Sequence, residues 1–193
     1  LCRRYLKSTE TLFEHEILYE ICEKEIKFLE SLAFNSMKSN TIIIRPCLLK
    51  KSFNEVNISL KSHPQILNFG ALKSFQKQGI GTQIEVEKDY YFLHLSFQEY
   101  FAARYIINAL KGASSENMIE FIKYQKYNQR YLLVFSFVAG LLAENDEIEC
   151  LNMFWNSILE EPLDLVGLRH LELIILCLEE TLTKPDFSRR TQL

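Results

Sequence analysis

The chain has 193 residues, 48% of them hydrophobic and 24% charged, with a formal net charge of -3. That is enough apolar material for one medium or two small packed domains. The slight acidity argues against a dedicated nucleic-acid binder, which carries a basic excess. The longest apolar run, "YLLVFSFVAGLLA" at residues 131–143, is too short to cross a bilayer and fits a buried helix.

"LCRRYLKSTE" has no apolar leader after its arginine pair and no initiator methionine, so residues 1–13 read as the remnant of something larger. Cys2, Cys22, Cys47, Cys150 and Cys177 are odd in number, widely spaced and without a C-x-x-C pair. They read as reduced, mostly buried thiols of a cytoplasmic protein.

Apolar residues at helical spacing, among them Leu18, Cys22, Leu29 and Ala33, predict a helix over 14–37. "TIII" at 41–44 is β-branched and predicts a brief buried strand. Arg45, preceding Pro46, is biased toward extended backbone. "RPCLLKKSFNEV" predicts a short helix. A further helix is expected in "SHPQILNFGALKSFQKQG", with Ser62 as N-cap, Pro64 in the first turn and Gly79 as the stop. Thr82, Ile84 and Val86 then alternate with polar residues, "EKD" offers a turn, and 90–95 return as a second strand. Helix, short strand, two helices and a hairpin form the outline of a winged helix over 14–95.

The remainder reads as a helical domain over 96–184, followed by a polar tail, 185–193. "SFQE" is a capping-box pattern, with Ser96 capping and Glu99 reaching back. That helix should run to Lys111 and end at Gly112. Helices are expected near 115–124, 129–143 and 146–160, the last opened by an Asp146/Glu149 box. A final one lies in "LVGLRHLELIILCLEETL", before Pro185. The fold class expected is mainly α, with a small α+β winged-helix domain and a superhelical bundle.

Few patterns carry chemistry. No glycine is followed by lysine, so there is no phosphate-binding G-x-x-x-x-G-K-[ST] loop. "HEI" at 15–17 lacks a second histidine one turn on, and "NDEIE" lacks the alternating ligands of a calcium loop. Four histidines and five cysteines make a chance Cys–His pairing uninformative. DNA reading would fall to a recognition helix over 64–78, with Lys73 and Lys77. The acidic wing (Glu85, Glu87, Asp89 against Lys88) would be repelled by phosphates.

His94 stands between a strand and a helix, at the expected N″ position. The free amides and positive dipole end of that helix favour an anion. Two readings stand side by side: an edge histidine satisfied by a backbone carbonyl, or a donor to a phosphate oxygen.

"YYFLHLSFQEYFAARYI", residues 90–106, resembles the F-x-H-x-[ST]-F-Q-E-[FY]-F-A-A signature of NACHT-type STAND ATPases, the NOD-like receptor family. "FLESLAF" at 28–34 is similar to the helix opening that family's winged-helix domain. "ILNFGAL" at 66–72 resembles the segment before the wing, with Ala71 as a departure. "YLLVFSFVAGLLAEN" and "LRHLELIILCLEE" resemble helices of its second helical domain. The resemblance covers roughly 17–180. It implies a regulatory segment of a nucleotide-dependent signalling switch that closes over ADP when inactive and releases for oligomerisation in innate-immune-type signalling. It also implies that His94 contacts the ADP β-phosphate, and that the NACHT P-loop domain and C-terminal repeats are intramolecular partners. The active full-length protein would form a homo-oligomer. ADP or ATP would be shared with the P-loop domain, with no metal bound by this chain. The P-loop being absent, the chain itself is expected not to be an enzyme, and neither DNA nor membrane is an expected partner. The alternative is a non-enzymatic helical interaction scaffold.

Overall fold

The computed structural model describes residues 22–63, 66–68, 70–75, 85–164 and 167–181. Among them the protein is mainly helical with one small antiparallel sheet. Seven helices are described: α1 (Glu23–Lys38), α2 (Pro46–Val56), α3 (Leu95–Lys111), α4 (Ser115–Gln125), α5 (Leu132–Glu144), α6 (Ile148–Leu159) and α7 (Leu168–Thr181). The sheet pairs β1 (Leu72–Phe75) with β2 (Asp89–Phe92). The chain divides into two compact units, 1–102 and 103–193, the division falling inside α3. The sequence placed its boundary at 95/96, where strand gives way to helix.

In the first unit, α1 is buried on every face. Phe28, Leu29, Leu32 and Ala33 are fully enclosed, and so are the polar Ser31, Asn35 and Ser36. Burying a polar group is costly unless it is hydrogen-bonded, and these are. Asn35 donates to Glu55 at 2.8 Å and accepts from Lys51 at 2.7 Å. Ser31 donates to the same Glu55 carboxylate at 2.5 Å. Both partners lie on α2, so this network fixes α2 against α1. Phe28 stacks on Phe53 of α2, ring centres 4.4 Å apart, and makes the apolar part of the same seam. As its Pro46 predicts, α2 opens on an extended Arg45. It ends at Asn57 in the left-handed region, φ 54°, which asparagine tolerates.

The segment after α2 departs from expectation. Over the described residues, the helix expected from Ser62 to Gly79 is not formed. Ile66–Asn68 make one 3-10 turn, and Leu72–Phe75 form β1. Gly70, at φ 82°, turns the chain between them. The recognition helix expected over 64–78 is therefore a correction, for Lys73 stands on a strand opposite Tyr91. The hairpin is corrected with it. The partner of β2 is 72–75; Val86 sits in a 3-10 turn (Glu85–Glu87), while Thr82 and Ile84 lie outside the described residues. "LKSF" carries no alternation to outvote a helical pattern, and only pairing with β2 decides its state.

"TIII" is corrected too. Only Ile44 pairs, through a single bridge to Tyr90, and only Ile44 is buried. Tyr90 donates to the Ile44 carbonyl at 2.9 Å and accepts the Ile44 amide at 2.7 Å. With both its polar groups turned to Ile44, antiparallel alternation turns those of Asp89 and Tyr91 to β1. The order across the sheet is Ile44, β2, β1, with the last strand in the middle.

In the second unit, α5 packs along α7 and α6, and α4 packs on α6. A run of rings forms its core: Phe121 against Tyr131 (5.3 Å), Tyr131 on Phe135 (6.0 Å), Phe135 by Phe154 (6.3 Å) and Phe154 by Trp155 (6.1 Å). Gly140 lets α7 approach α5, since a β-carbon there would meet the Glu180 β-carbon at 3.1 Å. The Asp146/Glu149 box is not formed. Asp146 is left-handed at φ 56°, and Glu147 holds the N-cap position of α6.

The C-terminal end of α6 is closed by a lysine from another element. Lys126 is buried, and its ammonium donates to the carbonyls of Ser157, Ile158 and Glu160. Burial holds this ammonium below its usual range, the nearby Lys123 charge adds to the effect and Glu160 opposes it. A cation at a helix C-terminus also meets the negative dipole end.

Two stability outcomes follow from these contacts. Phe28→Ala removes the ring that seals α1 to α2 and should cost about 3–5 kcal/mol in denaturant unfolding. Lys126→Met keeps most of the volume but leaves α6 carbonyls without a donor, and should cost about 1–3 kcal/mol. Equal stability to the parent in either case would contradict these roles.

Candidate functional site around His94

β2 ends at Phe92, and α3 begins at Leu95. The carbonyl of Leu93's neighbour Ala71 is still engaged, accepting the Leu93 amide at 2.9 Å. His94 is the residue immediately before the helix, and its carbonyl accepts the Phe97 amide at 3.1 Å. It thus holds the N-cap position and not N″. The capping box falls with that shift, because Ser96 already lies inside the helix. Glu99 agrees: burial alone pushes its carboxyl above the usual range, whereas an amide bond to a capping carboxylate would pull it down.

The side chain of His94 is exposed. Its ring meets the edge of Phe97 at 5.5 Å between centres, with planes at 80°. Among the described residues no hydrogen bond engages its ring nitrogens, so the backbone-carbonyl partner of the edge-histidine reading is not formed. The amides of the first two residues of α3, Leu95 and Ser96, precede the first helical acceptor. An imidazole beside them makes a small donor-rich surface with polarity suited to an anion.

Its neighbours are apolar and unburied. Leu93 is 46% exposed and Leu95 55%. In the same unit, two further isoleucines precede the Ile44–Tyr90 bridge. Ile42 and Ile43 are 57% and 44% exposed. Leu93 and Leu95 thus flank the exposed histidine with apolar surface.

Gln98 was not singled out by sequence reasoning, yet it sets where this surface points. It is buried and donates to the Ser36 hydroxyl at 2.7 Å, while Ser36 donates to the Ala33 carbonyl at 2.9 Å. The first turn of α3 is thereby tied to α1. A glutamine between two phenylalanine-rich positions was the available signal, for a buried amide needs a partner.

A second titratable cluster lies in the second unit. Tyr127 accepts the Asp164 amide at 3.0 Å, and its hydroxyl lies 3.0 Å from Nδ1 of His170. With the phenol oxygen already accepting, its proton goes to a neutral imidazole. Burial lowers His170 below its ordinary 6.5, with Lys126 adding and Asp164 opposing, and burial raises Tyr127. Both shifts favour the neutral pair. Asp164 Oδ2 accepts the Arg169 amide at 3.1 Å, so the cluster secures the turn into α7. These contacts are structural.

Among the described residues no cluster of His, Cys, Asp or Glu could hold a metal, and no helix is long and apolar enough to cross a membrane. Cys22, Cys150 and Cys177 are buried, and burial pushes the thiols of Cys150 and Cys177 up; Cys47 is exposed, and Cys2 lies outside the described residues. Neither a protein-family model nor a curated protein sequence matches the chain.

The pH response of the His170 cluster has a definite sign. A histidine lowered in the folded state contributes stability that is present above its unfolded value and lost as pH falls through the folded one. The unfolding midpoint should therefore drop as pH is lowered below about 6.5, and His170→Gln should make that drop shallower. An identical pH profile for the variant would refute the assignment.

Proposed function

We propose that this chain is the winged-helix and second helical segment of a NACHT-type nucleotide-dependent signalling switch. Its part in that switch is to close over ADP bound by a P-loop domain. The single observation that carries the reading is His94 at the N-cap of α3, exposed, with free ring nitrogens among the described residues and flanked in the chain by the exposed Leu93 and Leu95. The residue matching the phosphate-contacting position of the resembled signature thus stands on an open apolar face, the kind a closing domain would cover.

The sheet order supports the winged-helix part. A small antiparallel sheet with the Ile44 bridge on the free side of β2 is compatible with the small sheet of such a fold. In the stretch expected to form the third core helix, the described residues hold the 3-10 turn Ile66–Asn68 and the strand β1.

In the proposed mechanism ADP bridges the P-loop domain and His94. The closed form gains contacts that the open form lacks, so ADP shifts the population toward closure. Exchange for ATP and engagement of the C-terminal repeats shift it toward an open form that oligomerises. This chain contributes the imidazole, the α3 amides and the apolar rim, while hydrolysis and metal binding belong to the P-loop domain. A cytoplasmic location is part of the same proposal.

The test uses the full-length protein that carries this segment. His94→Ala should speed ADP release about tenfold, the loss expected for one hydrogen bond to a charged group. Basal oligomerisation should rise with it. Unchanged ADP release together with unchanged basal oligomer would sink the proposal.

A further inference from the structure

One face of α4 in the second unit is used neither by the core nor by the His94 surface. Glu116, Ile119, Glu120 and Tyr124 recur at helical spacing and line one wall of an open groove of about 570 Å³. Glu161 and Pro162, from the segment between α6 and α7, form the other wall. The floor is mainly apolar, made of the Ile119 side chain, the proline ring and the tyrosine ring.

Three features say what this groove suits. Tyr124 is 73% exposed, more than any other large apolar or aromatic side chain among the described residues. An aromatic face held in water is a platform for a cation. Glu116, Glu120 and Glu161 form no ion pair with any described residue, so three carboxylates rim the apolar floor. Lys123, the groove's basic residue, is already paired with Glu160 at 2.5 Å and does not neutralise them. Behind the groove wall, Lys126 is buried and bonded to the end of α6, with its charge turned inward.

We infer that this groove docks a basic peptide segment of a partner protein, with Arg or Lys side chains meeting the three carboxylates and the Tyr124 face. Charge complementarity carries the choice of occupant: an acidic rim repels acidic segments, phosphates and anionic lipid alike. The apolar floor asks for at least one apolar residue between the basic ones, since charge alone at exposed sites contributes little. Such a contact is small and would be transient. This inference is independent of the nucleotide reading, because it involves none of the residues around His94.

The probe is a fluorescein-labelled nonapeptide alternating arginine with leucine, titrated against the 193-residue chain and followed by anisotropy. Saturable binding that weakens with added salt is expected, with no binding of the same peptide carrying glutamate for arginine. The triple variant Glu116→Gln, Glu120→Gln, Glu161→Gln should weaken binding about tenfold. Tyr124→Ala should weaken it about threefold. A control with the same change in charge, Glu144→Gln, Glu149→Gln, Glu179→Gln, lies outside the groove and should bind like the parent. All these side chains are exposed, so the variants should retain the parent's fold. Equal loss in control and groove variants would reduce the interaction to net charge and overturn the inference. Absence of saturable binding would overturn it as well. Binding that emerges only after removal of residues 182–193 would give the groove to the chain's own Arg189–Arg190 segment, and the partner reading would fall.

Discussion

The backbone of Tyr90 is the constraint on which the first unit turns. Its amide and carbonyl are both committed to Ile44, and its neighbours are thereby turned toward β1. One residue thus joins three stretches far apart in sequence: 41–44, 72–75 and 89–92. A lone pair of strands is marginal in water. Here the pair gains the Ile44 bridge on its open side and the buried rings of Tyr90 and Phe92 beneath. Because β2 is held from both sides, the point at which the chain leaves it is fixed. That point is two residues before α3, and His94 occupies the gap.

Buried polar groups decide orientation where apolar packing leaves it open. An aliphatic seam tolerates sliding, but a hydrogen bond has a direction and a length. Gln98 on Ser36 sets the start of α3 on α1, and Asn35 and Ser31 on Glu55 set α2 on α1. In the second unit Lys126 does the same for α6, and Tyr127 with His170 for the turn into α7. Each group would be costly if left alone, so each also acts against other packings. The free ring of His94 and the unpaired groove carboxylates on α4 differ from these. Their polar atoms are satisfied by solvent, which leaves them available to something else.

Local chemistry announced most helices. Pro46 after an extended Arg45, Gly112 after Lys111 and the aliphatic run of α5 are signals written within a few residues. The failures are equally specific. "LKSF" has no preference strong enough to resist its partner, so β1 exists only because β2 lies beside it. "TIII" looks like a strand by composition, yet two of its three isoleucines face water and one residue pairs. Ser96 and Glu99 have the right spacing for a capping box, but the Gln98 anchor and the Ala71 bond to Leu93 let the helix start earlier. Asp146 met a similar fate when the turn took it into the left-handed region. Caps depend on where the chain arrives, and arrival is a long-range matter.

Residue order alone told of a mainly helical protein and of His94 as its singular residue, since helical periodicity and the break at residues 92–95 are properties of neighbours in the chain. The folded arrangement supplied the rest: the sheet with β2 at its centre, the buried Gln98 and Lys126, and the acidic groove on α4. Each of these joins residues tens of positions apart. A side chain's burial, and hence whether its polar atoms are spent or free, is set by those distant neighbours and not by the ones beside it.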